Sequence, residues 1–132
     1  MSMNYYFKLK EVPKINIDVK GEISSNILKQ LNNKIESMSE IHICQTAGGW
    51  KPLFQKNEYY STIAELREFY ERNKDLLYIE NEYGEEKVWG DIEYIINDNT
   101  GKRRYNADYC EYSYDKDSGI EFMEGVVFNG LC

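Results

Sequence analysis

Two short runs of strand-forming residues flank the pair Gly48-Gly49, and this arrangement constrains the fold more than any other feature of the chain. The glycines permit backbone angles that other residues resist, so the chain can reverse direction there. Pro52 removes an amide donor and biases Lys51 towards an extended conformation. The segment predicts either a hairpin whose Trp50 fills the core or a loop that presents Trp50 and Lys51 to a ligand.

Hydrophobic periodicity around this segment predicts an α+β domain. Expected helix caps are Ser24 or Ser25, Thr62 with Glu65 in a capping box, and Asp91. The order of elements favours a single domain over residues 1–132, with a mainly antiparallel sheet and two or three helices. Strands are predicted over residues 4–10, 15–19, 41–44, 53–55, 76–80, 86–89, 105–114 and 120–128, and helices over 24–38, 62–73 and 91–96.

Length and cysteine usage indicate a cytoplasmic protein. A chain of 132 residues is long enough for one core but not for two. No apolar run approaches about 18 residues, and the first residues lack the charged and apolar regions of a signal peptide. Cys44, Cys110 and Cys132 are odd in number and show no CxxC spacing, so we expect unpaired thiols without metal. No sequence feature fixes the oligomeric state.

The net charge of −7 is unevenly distributed along the chain. Residues 1–56 carry eight lysines and five acidic residues, a net charge of +3, whereas residues 57–132 carry eight basic and eighteen acidic residues, a net charge of −10. Such an acidic half opposes direct binding to nucleic acid, because phosphates would be repelled. It suits a partner protein with a basic surface, or it is a solvated face that keeps the protein soluble.

Acidic and tyrosine side chains of the second half are the candidates for contact with such a partner. Carboxylates would steer the encounter electrostatically, and tyrosines would supply large rigid contacts. The predicted partner-binding residues are Glu80, Glu82, Glu85, Tyr112, Tyr114, Asp115 and Asp117.

A small-ligand site is the alternative hypothesis. Its residues would be His42, Gly48, Gly49, Trp50 and Lys51. Trp50 could stack on a base while Lys51 meets a phosphate, as in a nucleotide-binding protein or an enzyme.

Catalytic and metal-binding motifs are weak. His42 and Cys44 are expected on one face of a strand, where two such side chains rarely align for proton transfer. The three cysteines and the histidine match no zinc spacing, and the acidic turn 115–119 departs from the calcium-loop pattern. Phosphate-binding, dinucleotide-binding and serine-hydrolase motifs are absent from the sequence. We therefore predict no catalytic residue, no metal and no cofactor, and the balance favours a protein that is not an enzyme.

A resemblance to known sequences is carried by His42-Ile43-Cys44, 48–55, 82–86, Trp89 and 117–122. In these segments the chain resembles a group of small proteins found in phages and prophages of low-GC Gram-positive bacteria. The resemblance implies a phage accessory protein made in the host cytoplasm, and such small acidic proteins often inhibit host defence systems. A partner would then be, for example, a host nuclease with a basic nucleic-acid groove. The resemblance covers roughly residues 40–128.

Burial of the segment that follows Gly48-Gly49 bears on the choice between the two hypotheses. We expect Trp50, Leu53 and Phe54 to be at least half buried against the helix 62–73, whichever function holds. An exposed Trp50 in a pocket beside His42 would favour the ligand hypothesis.

Overall fold

The structure is a computed structural model that describes residues 2–11, 22–38, 40–101 and 112–123. The described part confirms an α+β architecture. Its elements are β1 (Ser2–Leu9), α1 (Glu22–Met38), β2 (Glu40–Ala47), β3 (Trp50–Gln55), α2 (Ile63–Asn73), β4 (Leu77–Asn81), β5 (Glu86–Lys87), α3 (Trp89–Asn97), β6 (Tyr112–Asp115) and β7 (Ile120–Met123).

The strands form one seven-stranded sheet in the order β5-β4-β1-β2-β3-β7-β6. Every neighbouring pair is antiparallel except β3 and β7, which are parallel. The expectation of a mainly antiparallel sheet is therefore confirmed. Strand β1 is next to the centre, and it connects the β4–β5 hairpin to the β2–β3 hairpin through hydrogen bonds on both of its edges.

The core lies between one face of this sheet and the helices α2 and α3. Phe7, Phe54 and Phe122 contribute from the strands, while Leu66 and Ile92 contribute from the helices, and all five are fully buried. Successive side chains of a regular strand point to opposite faces of the sheet, so β4 and β7 contribute alternate residues to the core.

Aromatic rings connect the layers. The ring of Phe7 lies within 6.5 Å of the rings of Tyr60, Phe69, Tyr70 and Trp89, measured between centroids. Tyr70 and Trp89 stack face to face at 4.4 Å. These contacts join β1 to the segment before α2, to α2 itself and to the start of α3. Aromatic pairs of this kind contribute about 0.5–1.5 kcal/mol beyond the burial of their area.

The start of α2 is held by two sets of hydrogen bonds. Thr62 Oγ1 accepts from the backbone N–H of Glu65 at 3.1 Å, so the predicted cap is confirmed. The carboxylate of Glu65 reaches back to the backbone N–H of Ser61 at 3.0 Å and to its hydroxyl at 2.7 Å. In addition, Asp115 Oδ2 accepts from the backbone N–H of Ile63 at 3.0 Å, which ties α2 to the end of β6.

Two other predicted caps are wrong. Helix α1 begins at Glu22, so Ser24 and Ser25 lie inside the helix. Helix α3 begins at Trp89, two residues before the predicted start. Asp91 acts from the third helical position instead, where its Oδ2 accepts the backbone N–H of Val88 at 3.0 Å. A carboxylate in that position satisfies an N–H that the helix leaves unpaired.

Other sequence predictions fall partly on residues outside the described ranges. The strand 15–19, the basic triplet 102–104, residues 105–111 and residues 124–128 belong there. The terminal hairpin is confirmed where it is described, because β6 and β7 pair across the turn 116–119. Among the described helices, none is long and apolar enough to cross a membrane.

Asp115 closes the turn of this hairpin. Its carboxylate accepts from the hydroxyl of Ser118 at 2.6 Å and from the backbone N–H of Asp117 at 3.3 Å, in addition to Ile63. Burial raises the pKa of Asp115, but these hydrogen bonds outweigh burial, and the pKa lies below its usual range. The carboxylate is therefore ionised at neutral pH and holds the β6–β7 turn against α2.

We expect Asp115→Asn to lower the free energy of unfolding by about 1–3 kcal/mol, because an amide offers one acceptor where the carboxylate offers two. Asp117→Asn is the matched control at an exposed side chain, with an expected change within about 0.5 kcal/mol. Urea unfolding at neutral pH measures both. Since the pKa of Asp115 is lowered, its advantage over Asn should shrink as the pH falls and the carboxylate protonates. Equal stabilities of the two variants would contradict the structural role of Asp115.

Candidate functional site

Three hairpin turns lie at one end of the sheet. Strands β2, β4 and β6 run in the same direction. Two antiparallel pairings lie between β4 and β2, and two antiparallel pairings with the parallel β3–β7 pair lie between β2 and β6. The turns that follow them, 48–49, 82–85 and 116–119, therefore share one end. We call this the turn end of the sheet.

Glu82, Glu85 and Asp117 are exposed at the turn end. Glu82 Oε1 accepts from the backbone N–H of Asn4 at 2.8 Å, and Glu85 Oε1 accepts from the Asn81 side-chain amide at 2.9 Å. No lysine or arginine of the described ranges forms an ion pair with these three carboxylates. Hydrogen bonds orient Glu82 and Glu85, and all three carboxylates lack a basic partner among the described residues.

Asp115 and Glu80 differ from this group. Asp115 is only 7% exposed and is occupied by the hydrogen bonds that hold its turn. Glu80 is partly buried and pairs with Lys8 Nζ at 2.8 Å. Both carboxylates are therefore occupied by contacts within the fold and leave few acceptor sites for a partner. The predicted tyrosines lie on β6, where Tyr114 is exposed and Tyr112 is described only by its backbone.

A groove of about 390 Å³ opens between the β2–β3 turn and α3, close to the turn end. Trp50 is 47% exposed and Tyr94 is 70% exposed, so two large rings border the groove and face solvent in part. Its wall combines aromatic rings, two carboxylates and one lysine, contributed by Tyr5, Trp50, Lys87, Asp91, Tyr94 and Asp98.

Two glycines with positive φ shape the groove. Gly49 has φ +81° in the β2–β3 turn, and Gly101 has φ +97° in the segment after α3. A Cβ on Gly101 would lie 2.8 Å from the carbonyl oxygen of Gly49, so only glycine allows the two backbones to approach this closely. This contact holds the segment after α3 against the β2–β3 turn and places Asp98 beside the groove.

The charges around the groove favour a cation. Asp91 and Asp98 are exposed carboxylates, and Asp98 caps the C-terminal end of α3, where the helix dipole is negative. Lys87 partly offsets them. Burial raises the pKa of Tyr5, and the nearby charges of Cys44, Asp91 and Glu85 raise it further, so its phenol stays protonated. The groove therefore offers carboxylates and π faces to a positively charged group.

The five residues of the alternative ligand site do not form one site. Gly48, Gly49 and Trp50 line the groove, whereas His42 and Lys51 are not part of its wall. Trp50 and Lys51 are neighbours on β3, and neighbouring side chains of a strand point to opposite faces of the sheet. The exposed Trp50 therefore borders a groove whose lining does not include His42.

His42 and Cys44 also lie on different faces, contrary to the sequence prediction. Cys44 is opposite Tyr5 and His42 is opposite Tyr6, so Ile43 is an extra residue that forms a β-bulge. The bulge shifts the alternation of side chains by one position. Cys44 enters the core, while the His42 ring contacts Tyr6 at 5.2 Å between centroids. This geometry rules out the pairing of His42 with Cys44 for catalysis.

Both ring nitrogens of His42 face amide oxygens. Nδ1 lies 3.2 Å from Gln55 Oε1 and Nε2 lies 2.9 Å from Asn4 Oδ1. Burial lowers the pKa of His42 to about 4, although the hydrogen bond with Gln55 opposes the shift. The ring is therefore neutral at pH 7 and carries one hydrogen. The Gln55 amide is fixed by its donations to the carbonyls of Lys56 and Met123, so that hydrogen belongs on Nδ1.

Nε2 of the neutral ring then needs a donor. Turning the Asn4 amide by half a rotation would place its nitrogen at Nε2 and would sacrifice only the 3.5 Å contact between Asn4 Nδ2 and Glu82. Amide oxygen and nitrogen positions are assigned from such networks. The network Asn4–His42–Gln55 is thus an uncharged link across β1, β2 and β3, and it gives the only histidine of the sequence a structural role.

The expected burial against α2 of the segment that follows Gly48-Gly49 is met in part. Phe54 is fully buried in the core under the helices, as expected. Leu53 is buried as well, but it does not belong to that core cluster, because it alternates with Phe54 along β3. Trp50 is just over half buried, and it lies beside α3 instead of α2.

Tyr94 and Asp98 were not anticipated as site residues. The spacing of Ile92, Ile95 and Ile96 predicts the buried side of α3, so it also implies that Tyr94 faces outward. Nothing in the sequence indicates that α3 returns to the β2–β3 turn, because that proximity depends on the Gly49–Gly101 approach.

No cluster of three or more metal-binding side chains occurs within the described ranges. Cys44 is buried in the core, and Cys110 and Cys132 lie outside the described residues. No family model, curated protein or solved structure matches the chain. The resemblance to phage proteins therefore stays a prediction.

We expect the His42 network to make the protein sensitive to acid. The unfolded chain takes up a proton on His42 near its usual pKa of 6.5, whereas the folded protein does so only near 4. Stability is therefore complete above pH 6.5 and falls as the pH drops towards 4. From pH 7.5 to pH 5 this single group should cost about 2 kcal/mol.

The measurement is urea unfolding at both pH values for the wild type and for His42→Gln. The variant keeps a polar side chain that does not titrate, so the acid-dependent loss should be smaller by about 2 kcal/mol than in the wild type. The same loss in both proteins would show that His42 is not buried as a neutral ring.

Proposed function

We propose that this chain is a phage accessory protein that binds a basic surface of a host protein through the turn end of its sheet. The partner we infer is a component of a host defence system, and the surface covered is its nucleic-acid groove. One observation carries the proposal: four exposed carboxylates from three loops lie towards the same end of the sheet and form no ion pair with a basic residue of the described ranges. They are Glu82, Glu85, Asp98 and Asp117.

The surface of α2 provides the contrast. There, acidic side chains are paired with neighbouring bases, as in Arg67 with Glu93 at 2.7 Å, Lys74 with Glu71 at 3.0 Å, and Arg72 with Glu68. Paired charges produce little field at a distance, whereas unpaired carboxylates of one sign add their potentials. The negative potential should therefore be concentrated at the turn end, where it can steer a basic partner.

Exposed aromatic rings add a contact surface for a partner to the charged groups. Trp50 and Tyr94 border the groove at the same end of the molecule as Glu82 and Asp117. Tryptophan and tyrosine are the residues most often found to dominate interface energetics, with charged groups around them. An acidic surface around a partly exposed aromatic groove supports a protein-binding site more than a purely solubilising face.

Direct binding to nucleic acid is disfavoured by the same arrangement. Phosphates would meet four carboxylates at the turn end, and basic side chains drive most nucleic-acid affinity. An acidic protein of this kind would instead compete with nucleic acid for a basic groove on the partner.

A small-ligand function is a second candidate, because the groove has the size of a typical small-molecule site. Its volume is about 390 Å³, and Gly48, Gly49 and Trp50 of the original alternative site line it. A ligand there would lie between Trp50 and Tyr94, without His42 or Lys51. Native mass spectrometry of the purified protein would reveal a bound molecule that is lost in Trp50→Ala.

Charge reversal tests the proposed function. We expect Glu82→Lys, Glu85→Lys and Asp117→Lys together to slow association with the partner by about tenfold at low salt and to flatten the salt dependence of the rate. The matched control reverses the exposed acids Glu68, Glu71 and Asp75 on and after α2, which changes the net charge by the same amount at a distant surface.

The partner is first captured by crosslinking in a host lysate and purified, and association rates are then followed at low and high salt. Urea unfolding of each variant confirms that the fold survives, since exposed charges contribute only about 0–1 kcal/mol each. Nucleic acid added to the partner should compete with the wild type. Equal association rates for the two triple variants would contradict the proposal. Binding of the wild type to the partner that is unaffected by added nucleic acid would contradict it as well.

A further inference from the structure

We propose that the groove between Trp50 and Tyr94 receives an arginine side chain of the basic partner. This inference rests on the proposed function and adds the residue type that the site recognises. It is carried by the combination of a preformed groove, two partly exposed aromatic rings on its rim and two carboxylates in its wall.

The aromatic rim favours a flat cation. Trp50 and Tyr94 line the same groove with large fractions of their surfaces open to solvent. A guanidinium group stacks on such rings through both cation–π attraction and contact of planar surfaces. An indole ring is the strongest π partner among the side chains, so Trp50 is the expected stacking surface.

The carboxylates complete the recognition of a cation. Within the described part of the chain, Asp91 Oδ2 accepts a hydrogen bond from the backbone N–H of Val88, and Asp98 Oδ1 accepts one from the hydroxyl of Thr100 at 3.3 Å. An ionised carboxylate can accept about four hydrogen bonds, so both retain acceptor capacity. Arginine offers five donors in a planar fork and can pair with a carboxylate through two of them at once.

Other occupants fit less well. A phosphate or a nucleotide would meet two carboxylates and the negative end of α3, and Lys87 is the one basic side chain in the described lining. A lysine ammonium is a compact, strongly hydrated charge that gains less from a flat aromatic surface than a guanidinium does. The groove, at about 390 Å³, is also wide for a single ammonium group.

The two tryptophans provide a reporter and its internal control. Trp50 lies at the rim of the groove, whereas Trp89 is stacked on Tyr70 at 4.4 Å within the aromatic cluster. Proton–nitrogen NMR spectra of the full-length protein should show one indole N–H signal for each. Titration with a short arginine-containing peptide of otherwise uncharged residues should move the Trp50 signal to saturation and leave the Trp89 signal in place.

Two matched peptides define the chemistry. The same peptide with citrulline keeps the planar shape but lacks the charge, and we expect no saturable shift. The same peptide with lysine keeps the charge but lacks the planar fork, and we expect at least several-fold weaker binding. Equal responses to arginine and citrulline would overturn recognition of a cation, and equal responses to arginine and lysine would overturn selectivity for guanidinium.

Substitutions at residues other than Trp50, whose signal is the reporter, test where the peptide binds. Tyr94→Ala and Asp98→Asn should each weaken the arginine peptide by about tenfold, a typical loss for one stacking or charge-assisted contact. Tyr83→Ala and Asp75→Asn are the matched controls, because Tyr83 is 62% exposed, Asp75 is exposed as well, and both residues lie outside the groove. Equal losses in test and control variants would overturn the groove as the binding site.

The outcomes separate this inference from the proposed function. If the purified host partner binds with rates that depend on Glu82, Glu85 and Asp117, while neither peptide nor partner moves the Trp50 signal, the arginine site is wrong and the proposed function stands. If the arginine peptide moves Trp50 and loses affinity in Tyr94→Ala, while charge reversal at the turn end leaves partner association unchanged, the proposed function is wrong and the groove remains a guanidinium site.

Discussion

The structure depends on the burial of Phe7 in strand β1. This ring meets Tyr60, Phe69, Tyr70 and Trp89, and it is fully buried. Strand β1 has hydrogen-bonded neighbours on both sides, so the contacts of one side chain join the β2–β3 hairpin, the β4–β5 hairpin and the two covering helices. A smaller residue at this position would leave a cavity where all of these elements meet, and such truncations typically cost about 3–5 kcal/mol.

Local features of the fold could be predicted because short-range chemistry determines them. Thr62 and Glu65 specify the start of α2, and the turn 116–119 with Gly119 at φ +76° specifies the last described hairpin. The predicted caps of the other helices lie at least three residues too late, because Ser24, Ser25 and Asp91 can act both at a cap and inside a first turn. Those errors did not affect the class of the fold.

Long-range features could not be predicted, and they determine the candidate site. The β-bulge at Ile43 separates His42 from Cys44, and no local pattern marks it. The groove depends on the approach of Gly101 to Gly49, which are 52 positions apart in the chain. Asp115 was predicted to contact a partner, because acidic residues in turns are usually exposed, but its carboxylate accepts a hydrogen bond from the start of α2. Each of these outcomes depends on pairing between distant segments.

The parallel pairing of β3 with β7 has a consequence for the order in which the chain folds. Strand β3 ends at Gln55 and its partner β7 begins at Ile120, so the two can meet only after more than sixty intervening residues have been positioned. Until then β3 is an open edge with unpaired backbone groups, rich in apolar side chains and able to pair with another chain. Closing so long a loop is slow, since its entropy must be lost before the contact forms. We therefore expect docking of the β6–β7 hairpin to be the late step of folding, and association of chains to compete with it at high protein concentration.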